Sequence, residues 1–550
     1  MTASRPTSSK LNHVYLDGRI LEGGGQLVRI AIGLSALTGR PVSIDHVRGN
    51  REGKKGLKRS HAAAVKLLAE ISGSKVSGGE VGSQSLNFFP QSTRSKSGPL
   101  LDLSRVNVKS EYDIKLTTAG AIFLVFQALY PYLLHVGSQA SAPFVKVNIT
   151  GGTNATYSPS YDYASQVIAP NFAKLGLPPL SIILNKRGWT TGPVDLGAVT
   201  FIIHTLRSRH DPDGQDQLQE STERESAAEL LYSFPRINLM DHKRGKITQI
   251  DITVLAPDQP TLNTDADEGT GSTIRQFIEQ VTRRTLRHEM KKLDSSMFAK
   301  RSNSALCEGD SLSKLSAKNA LVPITIHTSE ATNHRSHVYI LLVAHTSSGF
   351  RIGHDILGSM GGDRLSKPKN KGKQKQQPTR DPRRDSQNEI AFSAAADLVR
   401  RCVDGFIGEI SNESPNVQPN QKPDSTVKRS CLDSYMRDQV VVFEALGEAC
   451  SAGGHDAETT DTETLEDERD WTLHTKTAQW AVTTIRKLRT MIHQESLTYQ
   501  TATNIGKFRT SQHIDCDAVG GKQKTIYLSQ MSSAKYRYPR NAPDHPNTRD

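Results

Sequence analysis

A change of period that repeats through the first 200 residues constrains this chain most: short β-rich runs alternate with stretches whose apolar residues recur at helical spacing. Such alternation predicts strand–helix units packed as sheets covered by helices, an α/β (α+β) class. After a strand-like run at 13–16, Leu27, Val28, Ile30, Ala31, Leu34 and Leu37 predict a helix, with Gly39 placed to end it. A strand is expected at 42–47, a helix at 61–71 capped by Gly73, and a strand at Leu86–Phe89. The pattern returns as a helix at 119–130, a strand at 144–149 and a helix at 163–175.

Beyond residue 206 the chain turns hydrophilic, and a helix rich in basic residues is expected at 272–293 between strands at 247–254 and 337–344. This predicts a small α/β domain at 205–345 inserted into a larger domain formed by 12–204 and 346–527. A low-complexity stretch at 361–389 carries Lys367, Lys369, Lys371, Lys373, Lys375, Arg380, Arg383 and Arg384 beside Pro and Gln, a composition that builds no core. An acidic stretch at 451–470, where like charges repel, and a polar tail at 528–550 are likewise expected to be disordered.

Charge narrows the partners. The formal net charge is +12 with a pI near 9.3, and such an excess favours polyanions, nucleic acid first, although basic loops are also ordinary solvated surface. The five cysteines form no CxxC pair, which argues against zinc and disulfides and for a reducing compartment. The first ten residues lack an apolar core, and no run approaches the roughly 18 apolar residues that span a bilayer. A soluble intracellular protein without a membrane partner is expected. The basic stretch reads as a nuclear localisation signal, a nonspecific RNA-binding arm or an exposed loop, and the nucleus is the expected compartment, with the cytoplasm second.

Chemistry concentrates in Glu22-Gly23-Gly24-Gly25-Gln26-Leu27-Val28-Arg29, a glycine turn opening a helix. Glycines permit positive φ, the helix N-terminus offers free N–H groups to an anion, and Arg29 adds a charge-assisted donor. The run is neither a Walker A loop nor a dinucleotide fingerprint, and taken alone it is equally a tight turn.

The longer stretch EGGGQLVRIAIGLSALTGRPVSIDHVRGNR resembles the opening of the RNA 3'-terminal phosphate cyclase family. The resemblance continues through Gly56-Leu57-Lys58-Arg59-Ser60-His61, where Ser60 replaces a usual glutamine, and through Ala119-Gly120, Gln127, Gly151-Gly152-Thr153-Asn154, Pro159 and Asp162-Tyr163. Lys186-Arg187-Gly188-Trp189 resembles the start of a glycine-rich signature, but residues 190–196 depart from it. Tyr435, Asp438 and Gln439, on one face of an expected helix, resemble a nucleotide-facing segment, and Leu473-His474-Thr475 resembles the segment that carries the family's nucleophile.

The resemblance implies a fold of repeated βα units with a small α/β insert, and an enzyme that uses ATP and a divalent cation (Mg2+ or Mn2+) to convert an RNA 3'-phosphate into a 2',3'-cyclic phosphate. It implies His474 as the nucleophile and Glu22, Gln26, Gln127, Pro159, Tyr435, Asp438 and Gln439 around ATP, with Glu22 also on the metal. Arg29, Arg48 and Arg51 would hold the RNA phosphate; as ordinary surface ion pairs they would contribute little. The rival reading is a catalytically inactive, cyclase-like RNA-binding factor of ribosome assembly, and a carboxyvinyl transferase of related architecture stands third.

Overall fold

The computed structural model describes residues 13–21, 23–51, 53–91, 100, 106, 108–140, 142–206, 234–258, 273–299, 322–359, 382–411 and 429–451. The chain opens with β1 (Val14–Asp17), α1 (Gly25–Thr38), β2 (Val42–Asp45), α2 (Arg59–Ser72), β3 (Lys75–Ser77) and β4 (Leu86–Phe89). The strands form a sheet of order β1-β2-β4-β3, with β1 parallel to β2 and the other pairs antiparallel. Both expected helix stops hold, since Gly39 and Gly73 each sit at φ +65 in the left-handed region that glycine enters without a Cβ penalty.

A second unit repeats that topology. It comprises β5 (Glu111–Lys115), α3 (Ile122–Val136), β6 (Phe144–Gly151), the helical segment α4, β7 (Leu180–Lys186) and β8 (Gly197–His204). Its sheet has order β5-β6-β8-β7, again with one parallel pair followed by antiparallel pairs. Helix α3 starts later than the spacing predicts because Ala121 bridges to Gly152, and it runs through Pro131, which supplies no N–H for the Gln127 carbonyl one turn back. Segment α4 is composite: Tyr161–Tyr163, a π-helical turn at Ala164–Ile168, then Ala169–Lys174. Helix α1 is buried at every position from Gln26 to Leu37 because α2 and α3 both pack on it.

The third sheet, of order β10-β9-β11-β12, is built differently. Its strands are β9 (Ile247–Pro257), β10 (Ile324–Thr332), β11 (Val338–Thr346) and β12 (Arg351–Gly358), covered by α5 (Ile274–Met290) and α6 (Pro382–Ser411). Alternation along β11 separates its faces: Val338, Ile340 and Leu342 join Ile278, Leu286, Val403 and Phe406 in a second core, whereas Tyr339, Leu341 and Val343 face the main core. Helix α7 (Ser434–Ser451) then returns to the main core through Met436, Val440 and Phe443.

Two expected boundaries move. The inserted segment was expected to end at residue 345, yet Ile352 of β12 and Leu398, Val403 and Phe406 of α6 belong to the same core as β9 and β11. A strand hydrogen-bonded along its whole length to β11 cannot be assigned elsewhere. The basic stretch expected to be disordered over 361–389 overlaps α6, which begins at Pro382. The rest of that stretch, the acidic stretch beyond Ser451 and the tail at 528–550 lie outside the described residues. Among the described residues no helix is long and apolar enough to cross a membrane.

Candidate active site

The glycine turn is held by a neighbouring loop. The Arg48 backbone N–H donates to the Gly23 carbonyl at 3.1 Å, and the Asn50 side-chain amide donates to the Leu21 carbonyl. Leu21, His46 and Arg48 take φ of +54, +53 and +58, so three of the four non-glycine left-handed residues among those described fall in these two loops. Strain of this kind persists where surrounding structure over-determines it, commonly at functional sites. Gly23, at φ +58, could carry no side chain, because a Cβ there would lie 1.8 Å from the Gly18 carbonyl oxygen.

Beneath the turn lies His61. Its Nδ1 accepts the Lys58 backbone N–H at 3.3 Å, and a Cβ added to Gly25 would meet its Nε2 at 2.0 Å. Burial, followed by the charges of Arg29, Arg48, Lys58 and Arg51, pushes the His61 pKa down to about 3. The ring is therefore neutral near pH 7, and with Nδ1 accepting, the proton is assigned to Nε2, on the side of the glycine turn. Burial and the Arg48 and Arg51 charges also lower the Lys58 amine. The side chains of Arg29 and Arg48 are themselves buried, and the Arg48 Nη1 donates to the Lys54 carbonyl at 2.7 Å. Arginines so placed that their charges lower the protonation of Lys58 and His61 suit a polyanion, whose charge would relieve the repulsion. Gln26 Oε1 is buried there and has no hydrogen-bond partner among the described residues.

From this pocket a hydrogen-bond chain crosses the molecule. Arg29 Nε donates to Gln127 Oε1 at 2.7 Å, and Gln127 Nε2 donates to Gln439 Oε1 at 3.0 Å. The links span 98 and 312 residues of sequence, so α1, α3 and α7 meet at this point. Gln127, Gln439 and Pro159 line a narrow cavity of about 30 Å³ together with Tyr130, Phe172 and Phe443.

One turn before Gln439 stands Tyr435, 47% exposed and edge-on to Tyr163 with centroids 6.2 Å apart. The segment is fixed by Asp433, whose carboxylate accepts from the Tyr163 hydroxyl at 2.5 Å, the Gly353 N–H at 2.8 Å and the Met436 N–H at 2.9 Å. That single side chain caps α7 and ties it to α4 and β12. Burial and the nearby Glu409 charge raise the Asp433 pKa well above the usual carboxylate range. Burial and Asp162 likewise push Asp355 up to about 6, although the Tyr339 hydroxyl donates to it at 2.9 Å.

The remaining motif residues brace the site. Asp162 forms a buried ion pair with Arg187 at 2.8 Å, and Arg187 also reaches Glu330 of β10. Thr153 N–H donates to the Gly188 carbonyl at 3.0 Å, and the Gly188 N–H donates to Thr153 Oγ1 at 3.0 Å, so the GGTN loop is stitched to the Lys186–Trp189 segment. The departure over 190–196 still closes into a tight turn, with Gly192 at φ +63, Trp189 bridged to Asp195, and the indole stacked on His337 at 4.8 Å.

Of the residues predicted from sequence, the structure joins Arg29, Gln127 and Gln439 directly and sets Pro159 beside the two glutamines. Gln26, Arg48 and Arg51 gather at the glycine turn, and Tyr435 and Asp438 lie on α7 within a turn of Gln439. Glu22 and His474 lie outside the described residues. Among the described residues no group of three or more His, Cys, Asp or Glu could hold a metal ion. Sequence reasoning passed over His61, Asp433, Asp355 and Arg187 as site-forming residues. Asp433 carried a signal in its position three residues before Met436, where an N-cap acceptor belongs.

The family described as RNA 3'-terminal phosphate cyclase matches residues 20–492. An RNA 3'-terminal phosphate cyclase of Koribacter versatilis is 33% identical over 276 residues, 50% of this chain and 69% of that protein. One of Methylococcus capsulatus is 31% identical over 263 residues, 46% of this chain and 66% of that protein, and one of Hyperthermus butylicus is 38% identical over 175 residues, 32% of this chain and 43% of its own. With the match covering most of its length, the chain belongs to the RNA 3'-terminal phosphate cyclase family, a family of enzymes.

Proposed function

We propose that this enzyme uses ATP to convert an RNA 3'-phosphate into a 2',3'-cyclic phosphate. The observation that carries the reading is the Arg29–Gln127–Gln439 chain, which draws three distant motifs to one side of a cationic glycine turn. The pocket fits a nucleotide polyphosphate: backbone close to the anion, buried arginine, a neutral imidazole N–H and an unpartnered Gln26 oxygen available to a donor.

In the proposed sequence His474 attacks the α-phosphorus of ATP, forming an N–P bond as the bond to pyrophosphate breaks. The RNA 3'-phosphate oxygen then attacks that phosphorus, the N–P bond breaks, and an RNA-adenylate forms while the histidine is released. The vicinal 2'-hydroxyl attacks the activated 3'-phosphorus, loses its proton and expels AMP. That last step is intramolecular, so fixing the ribose supplies much of its acceleration. Arg29, Arg48 and Arg51 would hold the phosphates. A divalent cation would neutralise polyphosphate charge, with Glu22 as its protein ligand. The basic stretch at 361–389 would direct the protein to the nucleus.

The test is incubation of the protein, and of a His474→Ala variant, with ATP labelled at the α-phosphate. An acid-labile protein adduct in the wild type alone supports the reading. No adduct, with RNA binding intact, favours the catalytically inactive RNA-binding alternative.

A further inference from the structure

Helix α5 has two populations of basic side chains. Arg275 pairs with Asp258 at 3.2 Å and Glu279 at 3.5 Å, while Lys292 and His288 both reach Glu289, at 2.8 and 3.0 Å. Arg283, Arg284, Arg287 and Lys291 have no carboxylate partner among the described residues. Arg284, Arg287 and Lys291 are exposed and follow one another at spacings of three and four, which places them in a row on one face of the helix. The opposite face, Ile274, Ile278, Thr282, Leu286 and Met290, is buried against the second core. The basic row lines a surface groove with Gln280 and His288.

We infer that this row is a docking surface for the sugar–phosphate backbone of the RNA, far along the sequence from the glycine-turn pocket that would take its 3' end. The inference rests on the proposed RNA substrate. A merely solvated face would be expected to intersperse acids with bases, as the ends of this helix do. From Arg284 to Lys291 the helix rises roughly 10 Å, about three phosphates of a stacked strand. The fork of each guanidinium suits a phosphate, and nothing in the row reads a base edge, so binding is independent of sequence.

The experiment measures binding of a fluorescent single-stranded 20-mer, with either a 3'-phosphate or a 3'-hydroxyl, as a function of salt. Two double variants remove the same charge: Arg284→Ala/Arg287→Ala, and Arg400→Ala/Arg401→Ala, exposed arginines of α6 that pair with Asp397. Two lost phosphate contacts lower the slope of log K against log salt by about 1.4 and weaken binding about 25-fold at 0.1 M salt, equally for both RNA ends. The α6 variant should change little. An unchanged slope in the α5 variant, or an equal loss in both, overturns the inference. Binding is read without turnover, so a wild type that binds RNA but forms no cyclic phosphate refutes the proposed activity and leaves the docking surface standing.

Discussion

Replacing Gly25 with alanine should damage the protein through one contact. The new Cβ would stand 2.0 Å from His61 Nε2, 2.4 Å from its Cε1 and 2.9 Å from Arg29 Nη1, against an ordinary contact of 3.4 Å or more, a shortfall of about 1.4 Å at the nearest atom. His61 is only 5% exposed, and its Nδ1 is anchored by the Lys58 N–H, so the ring has little room to retreat. Overpacking of this severity costs about 3 kcal/mol, and the higher helix propensity of alanine returns about 1 kcal/mol, leaving a net loss of about 2 kcal/mol. A urea titration at pH 7 reads that loss as a lowered midpoint at unchanged slope. His61→Ala opens the space that Cβ needs, so in the His61→Ala background only the propensity gain remains and Gly25→Ala should stabilise by about 1 kcal/mol, a coupling energy of about 3 kcal/mol in the double-mutant cycle. Strict additivity of the two substitutions would refute the steric argument, and with it the placement of the imidazole under the turn.

Two further outcomes follow from the site. Gln127→Ala removes the side chain that links Arg29 to Gln439, and should lower kcat/KM for ATP about ten-fold at a stability cost of about 1–2 kcal/mol; unaltered kinetics would detach the chain from function. Asp355 has its carboxyl raised from the ordinary 3.8 to about 6, so the folded state holds that proton while the unfolded chain has lost it, and this group's contribution declines as pH rises from about 4 to 6. His61 and His354, held down to about 3 and 4, act in the opposite sense over much of the same range. Because both histidines are common to the two proteins, Asp355→Asn isolates the carboxyl: the variant should gain stability relative to wild type across that window, and parallel urea midpoints from pH 4 to 6 would contradict it.

What sequence could reveal was whatever depends on neighbours along the chain. The period of α1 and its glycine stop were readable because helical spacing and a left-handed cap are local properties. The glycine turn was readable as a tight turn opening α1 for the same reason, and the resemblance supplied Gln127 and Gln439, which spacing alone would have left as solvated amides. The elevated carboxyls were not legible: Asp433 and Asp355 owe their shifted protonation to burial where β12, α4 and α7 converge. The end of the third unit was missed because β12 and α6 are assigned by what they cover, and a composition reading of 361–389 saw only the lysines and prolines.

The repeat explains where the site lies. Arg29 is the fifth residue of α1 and Gln127 the sixth of α3, the equivalent helices of two units with the same strand order. Those helices pack on each other, so the second turn of one faces the second turn of the other, and a polar pair placed there must be satisfied across the seam. Helix α7, arriving after the third sheet, supplies Gln439 as the next partner. The pocket is thus assembled by packing between units rather than within one, which couples its geometry to the burial of α1 on all sides. A substitution that loosens the α1–α3 contact anywhere along its length should therefore disturb the Arg29–Gln127–Gln439 chain, and the proposed nucleotide binding with it, before it unfolds either unit.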